Sequence, residues 1–128
     1  MKKILFIVAV VFMTSCQETL EERGAREARE YTEKKCPIPV AKMVMMDSMT
    51  FDKATHTFSY HYTLSGTLDD TTVIRRNNSS MPLLQQVKNS TNLKIFKDAG
   101  YSFRYIYRST KQKGFVLFDV TFTPKDYE

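Results

Sequence analysis

Two short segments in which large apolar residues alternate with polar ones constrain the fold of this chain more than any other feature. They are TFSYHYTLS at 57–65 and YSFRYIYR at 101–108. Successive side chains of a β-strand point to opposite faces of a sheet, so each segment predicts a strand with one buried face and one wet face. A second strand-like segment accompanies each of them, at 42–51 and at 114–123, across a short polar stretch. The sequence therefore predicts two β-hairpins.

The alternation also assigns the side chains of these strands to two faces. The face predicted to be buried carries Phe58, Tyr60, Tyr62, Leu64, Tyr101, Phe103, Tyr105, Tyr107, Val116, Phe118, Val120 and Phe122. The opposite, polar face carries Ser59, His61, Thr63, Arg104, Arg108 and Thr121. In the segment 42–51 the alternation is interrupted at Asp47, so its register stays open.

Two further regions carry helix signals. Residues 69–98 predict a helix in pieces, with Asp69 or Asp70 as the first N-cap, Pro82 in the first turn of a later piece, and Gly100 as the stop. Residues 18–35 alternate in charge and predict a helix whose narrow apolar stripe consists of Leu20, Gly24, Ala28 and Tyr31. We expect this helix to act also as a spacer of about 20 Å, and a partly disordered tether is the alternative.

The resulting element order, α-β-β-α-β-β, predicts an α+β fold. Two antiparallel hairpins and two helical regions have one compact arrangement in which each element buries its apolar side. In that arrangement the hairpins form a four-stranded antiparallel sheet, and the helices pack on its aromatic face. The polar face is then left to solvent.

The N-terminus predicts export and lipid attachment. A basic start, Met1-Lys2-Lys3, precedes ten apolar residues from Ile4 to Met13, which are too few to span a bilayer. They suit a secretion signal, and the cysteine directly after Thr14-Ser15 resembles the lipoprotein signal of bacteria. We therefore expect a signal peptide at 1–15, an acylated Cys16 carrying palmitate-type chains within a tether at 16–35, and a globular domain at 36–128. An ordinary signal peptide with an unmodified cysteine is the alternative.

Charge and cysteine content narrow the class of protein. The formal net charge is +5 over 128 residues, and it falls when Lys2 and Lys3 leave with the signal. This is too mild to indicate a nucleic-acid partner, and export would remove that partner as well. If Cys16 is acylated, Cys36 has no partner for a disulfide within the chain, and we expect it to be packed as a small apolar residue.

The polar face of the sheet is the candidate binding surface, with His61, Arg104 and Arg108 as its central residues. It could bind an envelope protein or an anionic envelope component, although a merely solvated sheet face would look the same. A thiol-dependent or hydrolytic site of Cys36 and His61 is a second hypothesis. His56 and His61 lack a recognised metal-ligand spacing, and no cofactor is expected.

The chain from about residue 36 onward resembles a group of small bacterial secreted proteins and lipoproteins without an assigned activity. The matching pieces are CP before the first strand, TFSYHYTLSG, KDAGYSFRYIY and the ending VTFTPKDY. This resemblance implies the α+β fold and brings no catalytic residues with it. Residues and resemblance together predict a lipid-anchored protein of the bacterial envelope with a non-enzymatic binding or structural role, the alternative being a small envelope enzyme.

Overall fold

The computed structural model describes residues 17–76 and 80–128, and in these ranges it contains five α-helices and five β-strands. The helices are α1 (Leu20–Lys35), α2 (Thr71–Arg76), α3 (Ser80–Asn89), α4 (Lys94–Asp98) and α5 (Pro124–Tyr127). The strands are β1 (Ile38–Ala41), β2 (Val44–Asp52), β3 (Thr57–Leu64), β4 (Ser102–Ser109) and β5 (Val116–Phe122). A short 3-10 helix, Gly66–Leu68, follows β3. The α+β class and both predicted hairpins are confirmed.

The sheet itself differs from the prediction, because it has five strands and is mixed. Its strand order is β1-β2-β3-β4-β5. The hairpins β2–β3 and β4–β5 are antiparallel, but β3 and β4, which join them, run parallel. The prediction of four antiparallel strands was therefore wrong. The chain leaves one end of β3 and, after α2, α3 and α4, begins β4 at the opposite end, as a helical crossover between parallel strands requires.

The additional strand is β1, in the segment that leads from α1 into the sheet. It pairs antiparallel with β2, with Ile38 opposite Met46. The sequence did not predict β1, because this strand is only four residues long and contains Pro39, which has no backbone N–H to donate to a neighbouring strand. A proline is tolerated there since β1 is an edge strand.

Two irregularities explain why the strand patterns are imperfect. The β2–β3 register shifts between Met46 and Ser48, so the extra residue Asp47 is accommodated in a bulge. A second shift, between Tyr107 and Arg108, places Val116 opposite Arg108. Val116 therefore leaves the aromatic face predicted for it and is 42% exposed.

Helix α1 is docked on the sheet along the stripe that the sequence predicted. Its N-terminus is closed by a capping box between Thr19 and Glu22. Gly24 and Ala28 are buried, and a Cβ built on Gly24 would lie 3.1 Å from Cζ of Phe58. Further along the helix, Oγ1 of Thr32 donates to the carbonyl oxygen of Met49 and accepts from its N–H, both at 2.9 Å. The small residues of the stripe let the helix lie close to the sheet.

The core lies between this sheet and helices α1, α3 and α4. Its buried members are Ala28, Met46, Phe58, Tyr60, Leu83, Val87, Phe96, Tyr101, Phe103, Tyr105 and Phe122. The parallel register stacks aromatic residues in pairs, with Phe58 opposite Phe103 and Tyr60 opposite Tyr105. Burial of such rings supplies most of the driving force for folding, at about 25 cal/mol per Å² of apolar surface.

The crossover between β3 and β4 follows the predicted signals in part. Oδ1 of Asp70 accepts from the N–H of Thr72 at 2.7 Å, so Asp70 is the residue that caps α2. The carboxylate of Asp69 instead accepts from the N–H groups of Thr110 and Lys111, at 3.0 and 2.8 Å, in the β4–β5 turn. Gly100 has the left-handed backbone, φ +82°, predicted for a helix stop.

Some predictions fall outside the described residues. The signal peptide and Cys16 lie in 1–16, and residues 77–79 of the predicted helical region 69–98 are not described either. The division of the chain at residue 36 stays a prediction. No helix within 17–76 and 80–128 is both long and apolar enough to cross a membrane.

Candidate functional site

A groove lies on the aromatic side of the sheet. We call it the tyrosine groove. It has a volume of about 790 Å³, within the usual range for ligand pockets. Its walls are the C-terminal half of α1, the edge strand β1 and the segment from α3 to α4. Its lining includes Glu27, Glu30, Tyr31, Lys34, Lys35, Val40, Ala41, Met46, Met49, Phe58, Tyr60, Tyr62, Gln86, Ser90, Asn92, Leu93, Phe96 and Tyr105.

Three tyrosines on the parallel strands β3 and β4, Tyr60, Tyr62 and Tyr105, lie on the floor of the groove, and Tyr107 stacks on Tyr62 beside it. The ring centroids of Tyr60 and Tyr105 lie 4.8 Å apart, and those of Tyr62 and Tyr107 lie 4.7 Å apart. Tyr62 and Tyr105 are also stacked, at 6.4 Å. Since these ring faces are in contact with one another, the groove presents ring edges and hydroxyl groups to a ligand.

Three of these hydroxyl groups have no hydrogen-bond partner in the part of the chain that the structure describes. Within the described ranges, the hydroxyls of Tyr60, Tyr62 and Tyr105 form no hydrogen bond, although only 8% of Tyr60 is exposed. No side-chain nitrogen or oxygen in these ranges is both sealed from solvent and without a partner, so the Tyr60 hydroxyl must open into the groove. Buried tyrosine hydroxyls normally find a hydrogen-bond partner. A ligand in the groove could supply it.

Burial also strengthens the preference of the tyrosines for the protonated form, which they already have at neutral pH. It raises the pKa of Tyr60, Tyr62 and Tyr105 well above the usual value, and neighbouring tyrosines add to the effect. Burial raises the pKa of Tyr107 to about 12. These hydroxyls therefore stay protonated at neutral pH and act as neutral donors and acceptors.

Charged side chains of α1 form the upper edge of the groove. Glu27 pairs with Arg23 at 2.7 Å, and Glu30 pairs with Arg26 at 3.3 Å. Lys34 and Lys35 line the same edge, and neither is in an ion pair within the part of the chain that the structure describes. The groove thus combines an apolar floor carrying hydroxyls with a charged edge, as the apolar centre and polar rim of a binding surface do.

The predicted surface residues His61, Arg104 and Arg108 share the opposite face of the sheet. The guanidinium of Arg104 donates to both carboxylate oxygens of Asp119, at 2.9 and 2.6 Å. Nη1 of Arg108 lies 3.1 Å from Nδ1 of His61, and Nε2 of His61 lies 2.9 Å from Oγ1 of Thr50. The structure therefore brings His61 and Arg108 into contact and pairs Arg104 separately.

Two pKa values on this face are perturbed. Burial lowers the pKa of His61, and the positive charges of Arg108 and Arg104 add to that effect. The hydrogen bond from Arg104 lowers the pKa of Asp119. At neutral pH His61 is therefore neutral, while Asp119 is charged and hydrogen-bonded to Arg104.

The structure does not bring Cys36 and His61 together. Cys36 is partly exposed and packs against the core on the aromatic side of the sheet, whereas His61 points to the polar face. Burial raises the pKa of Cys36, the opposite of what a reactive thiolate needs. Within 17–76 and 80–128, no group of three or more His, Cys, Asp or Glu side chains is arranged to hold a metal ion.

The sequence reasoning missed the tyrosine groove because it treated the whole aromatic face as covered. One signal was available. The alternating positions Tyr60, Tyr62, Tyr105 and Tyr107 carry tyrosine, where a sealed core would favour phenylalanine or leucine. A run of hydroxyl-bearing rings on a face predicted to be buried indicates that part of this face is wet.

Comparison with known proteins places the chain in a family. A family profile described as "Domain of unknown function (DUF8479)" matches residues 19–118, so the chain belongs to that family. Among curated proteins, none matches.

Two solved structures share the fold. One is a presumed secreted protein of Pseudomonas aeruginosa, with a TM-score of 0.68 and 9% identity, covering 88% of this chain and 100% of the other. The second is the pilotin EpsS of the Vibrio vulnificus type 2 secretion system, with a TM-score of 0.61 and 11% identity, covering 84% and 91%. At such identities the likeness shows the fold alone. It agrees with the predicted resemblance to small bacterial secreted proteins, while lipoprotein status stays a prediction.

Proposed function

We propose that this member of the DUF8479 family is a lipid-anchored protein of the bacterial envelope that binds an apolar segment of a secretion-system protein in the tyrosine groove, without catalysing a reaction. The single observation that carries this proposal is the set of hydroxyls of Tyr60, Tyr62 and Tyr105, which have no hydrogen-bond partner among the described residues and lie on an otherwise apolar floor. A partner segment with apolar side chains and exposed hydrogen-bonding groups would bury the floor and satisfy the hydroxyls together.

The choice of partner has two supports. The fold is shared with a protein named as a pilotin of a type 2 secretion system, at a TM-score of 0.61. The edge of the groove also carries charges of both signs side by side, at Glu27, Glu30, Lys34 and Lys35, and the two lysines form no ion pair within 17–76 and 80–128. This suits a polypeptide with charges of both signs beside its apolar residues. A uniformly apolar lipid would leave the hydroxyls without hydrogen-bond partners.

The anchor would hold the domain close to the bilayer. Cys16 precedes the N-cap Thr19 by three residues, and α1 lies along the sheet rather than projecting from it. The 16 residues of α1 therefore add little to the distance between lipid and domain, in contrast to the spacer of about 20 Å expected from sequence. Acylation with more than one chain gives stable attachment, as single chains bind only marginally.

Site-specific photocrosslinking in the native cell tests the groove. A photoreactive phenylalanine analogue is placed at Val40, which lines the groove and is 49% exposed, and at Thr121, which is exposed on the polar face, as the control. We expect the Val40 position alone to crosslink to a component of an envelope secretion system. Crosslinking from both positions equally, or from Thr121 only, would contradict the proposal, as would a partner outside the envelope.

Metabolic labelling tests the anchor separately. We expect labelled palmitate to enter the wild-type chain and not the Cys16→Ser variant, which should then leave the membrane fraction. An unlabelled wild-type protein in the membrane fraction would show that attachment does not use Cys16.

A further inference from the structure

Two arginines of β4, on the same face of the sheet, have different partners. Arg104 is neutralised by the bidentate contact with Asp119. Arg108 has no carboxylate partner within the described residues, and its one side-chain contact there is the ring nitrogen of His61 at 3.1 Å. A guanidinium carries five N–H donors. Arg108 therefore keeps a full charge and several donors for another acceptor.

The contact assigns the tautomer of His61. Arg108 can only donate, so Nδ1 of His61 accepts, and the ring proton resides on Nε2, which donates to Oγ1 of Thr50 at 2.9 Å. This arrangement requires neutral His61. Protonation would place an N–H on Nδ1 facing the guanidinium, and two cationic donors would then point at each other.

The charged groups around His61 cannot relieve this clash. Asp47 in the β2 bulge already accepts from Oγ1 of Thr63 at 2.6 Å. Asp119 on β5 is held by Arg104 of β4. These carboxylates do favour the protonated ring, but the burial of the ring, together with the charges of Arg108 and Arg104, outweighs them, so the pKa of His61 is lowered.

We propose that Arg108 and His61 form a binding site for a tetrahedral oxyanion with two negative charges, such as sulfate or a phosphomonoester, and that the site fills when His61 is protonated. An oxygen of the anion accepts from both cationic groups at once, replacing their direct contact. The site has a rigid base, because Ile106, which lies opposite His61 in the register, is only 1% exposed. It lies on the opposite face from the tyrosine groove and is independent of the partner proposed there.

NMR titration of the histidine rings tests this site. Sulfate is the probe because its charge stays constant over the pH range in which His61 titrates, and chloride at equal ionic strength is the reference. We expect sulfate to raise the pKa of His61, with a Kd roughly 3- to 10-fold lower for the protonated than for the neutral form. The ring of His56, which is bound to Glu21 at 2.7 Å, is an internal control, and its resonances at a fixed pH should be the same in sulfate as in chloride.

Two variants separate the site from general charge effects. Arg108→Gln should abolish the response of His61 to sulfate, whereas Lys113→Gln, which removes the same charge from an exposed turn, should preserve it. Identical titration of His61 in sulfate and chloride would overturn the proposal, and so would a sulfate response that survives in Arg108→Gln. Vesicles with and without a phosphomonoester lipid then distinguish a headgroup from a free anion as the source of the oxyanion.

Discussion

Replacing Tyr60 by phenylalanine separates the role of its hydroxyl in folding from its role in binding. The hydroxyl has no partner among the described residues, so its removal breaks no hydrogen bond within the protein. We expect the free energy of unfolding to stay within about 0.5 kcal/mol of wild type or to rise by up to about 1 kcal/mol, since a partly desolvated polar group is replaced by an apolar one. Binding of the partner segment should weaken.

Tyr127 provides the matched control. Its hydroxyl donates to the carbonyl oxygen of Tyr101 at 2.7 Å and also lies 3.3 Å from that of Lys97. Tyr127→Phe removes the same atom but loses these contacts, so it should cost about 1–2 kcal/mol. In a domain of this size, each 1 kcal/mol lowers the Tm by roughly 4–8 °C.

Urea unfolding of the purified protein, followed by circular dichroism, measures both variants. If Tyr60→Phe destabilised the protein by as much as Tyr127→Phe, its hydroxyl would be making a structural bond, and the reasoning about the groove would be refuted. If Tyr60→Phe preserved stability and partner binding alike, the hydroxyl would not contact the partner.

Two further predictions concern the attachment of α1 and the pH response. Thr32→Val removes both hydrogen bonds to Met49 and should cost about 1–3 kcal/mol in thermal unfolding, whereas Thr121→Val, on the exposed polar face, should change stability by less than about 0.5 kcal/mol. Because the pKa of His61 is lower in the folded chain than the ordinary value of 6.5, the unfolded chain takes up this proton first as pH falls. His61 should therefore make its full contribution to the free energy of unfolding above about pH 6.5, and this contribution should be lost as the pH falls towards the pKa of His61 in the folded chain. In chloride buffer, His61→Gln should abolish that part of the pH dependence of stability. A pH profile of stability that is the same in His61→Gln as in wild type would contradict the assignment.

Local features of the sequence were sufficient for the elements and their faces. The alternation in 57–65 places Tyr60 and His61 on opposite faces of any sheet, whatever its strand order, because the side-chain period of a strand is two. The helix signals were equally local: Asp70 caps α2, and Gly100 supplies the left-handed residue after α4. For the same reason His61 and Arg108 could be assigned to one face from sequence, although their contact could not.

The strand order and the tyrosine groove depended on distant parts of the chain. Whether β3 and β4 pair parallel is decided by the path of residues 65–101 across the sheet, and no residue within either strand encodes it. The groove exists because α1, β1 and the α3–α4 segment approach the sheet without closing over Tyr60 and Tyr105. By itself, the sequence determined which side chains face inward, because that follows from local periodicity. Only the tertiary structure decided which of these inward-facing side chains stay accessible, because that depends on how completely separate elements fill the space above them.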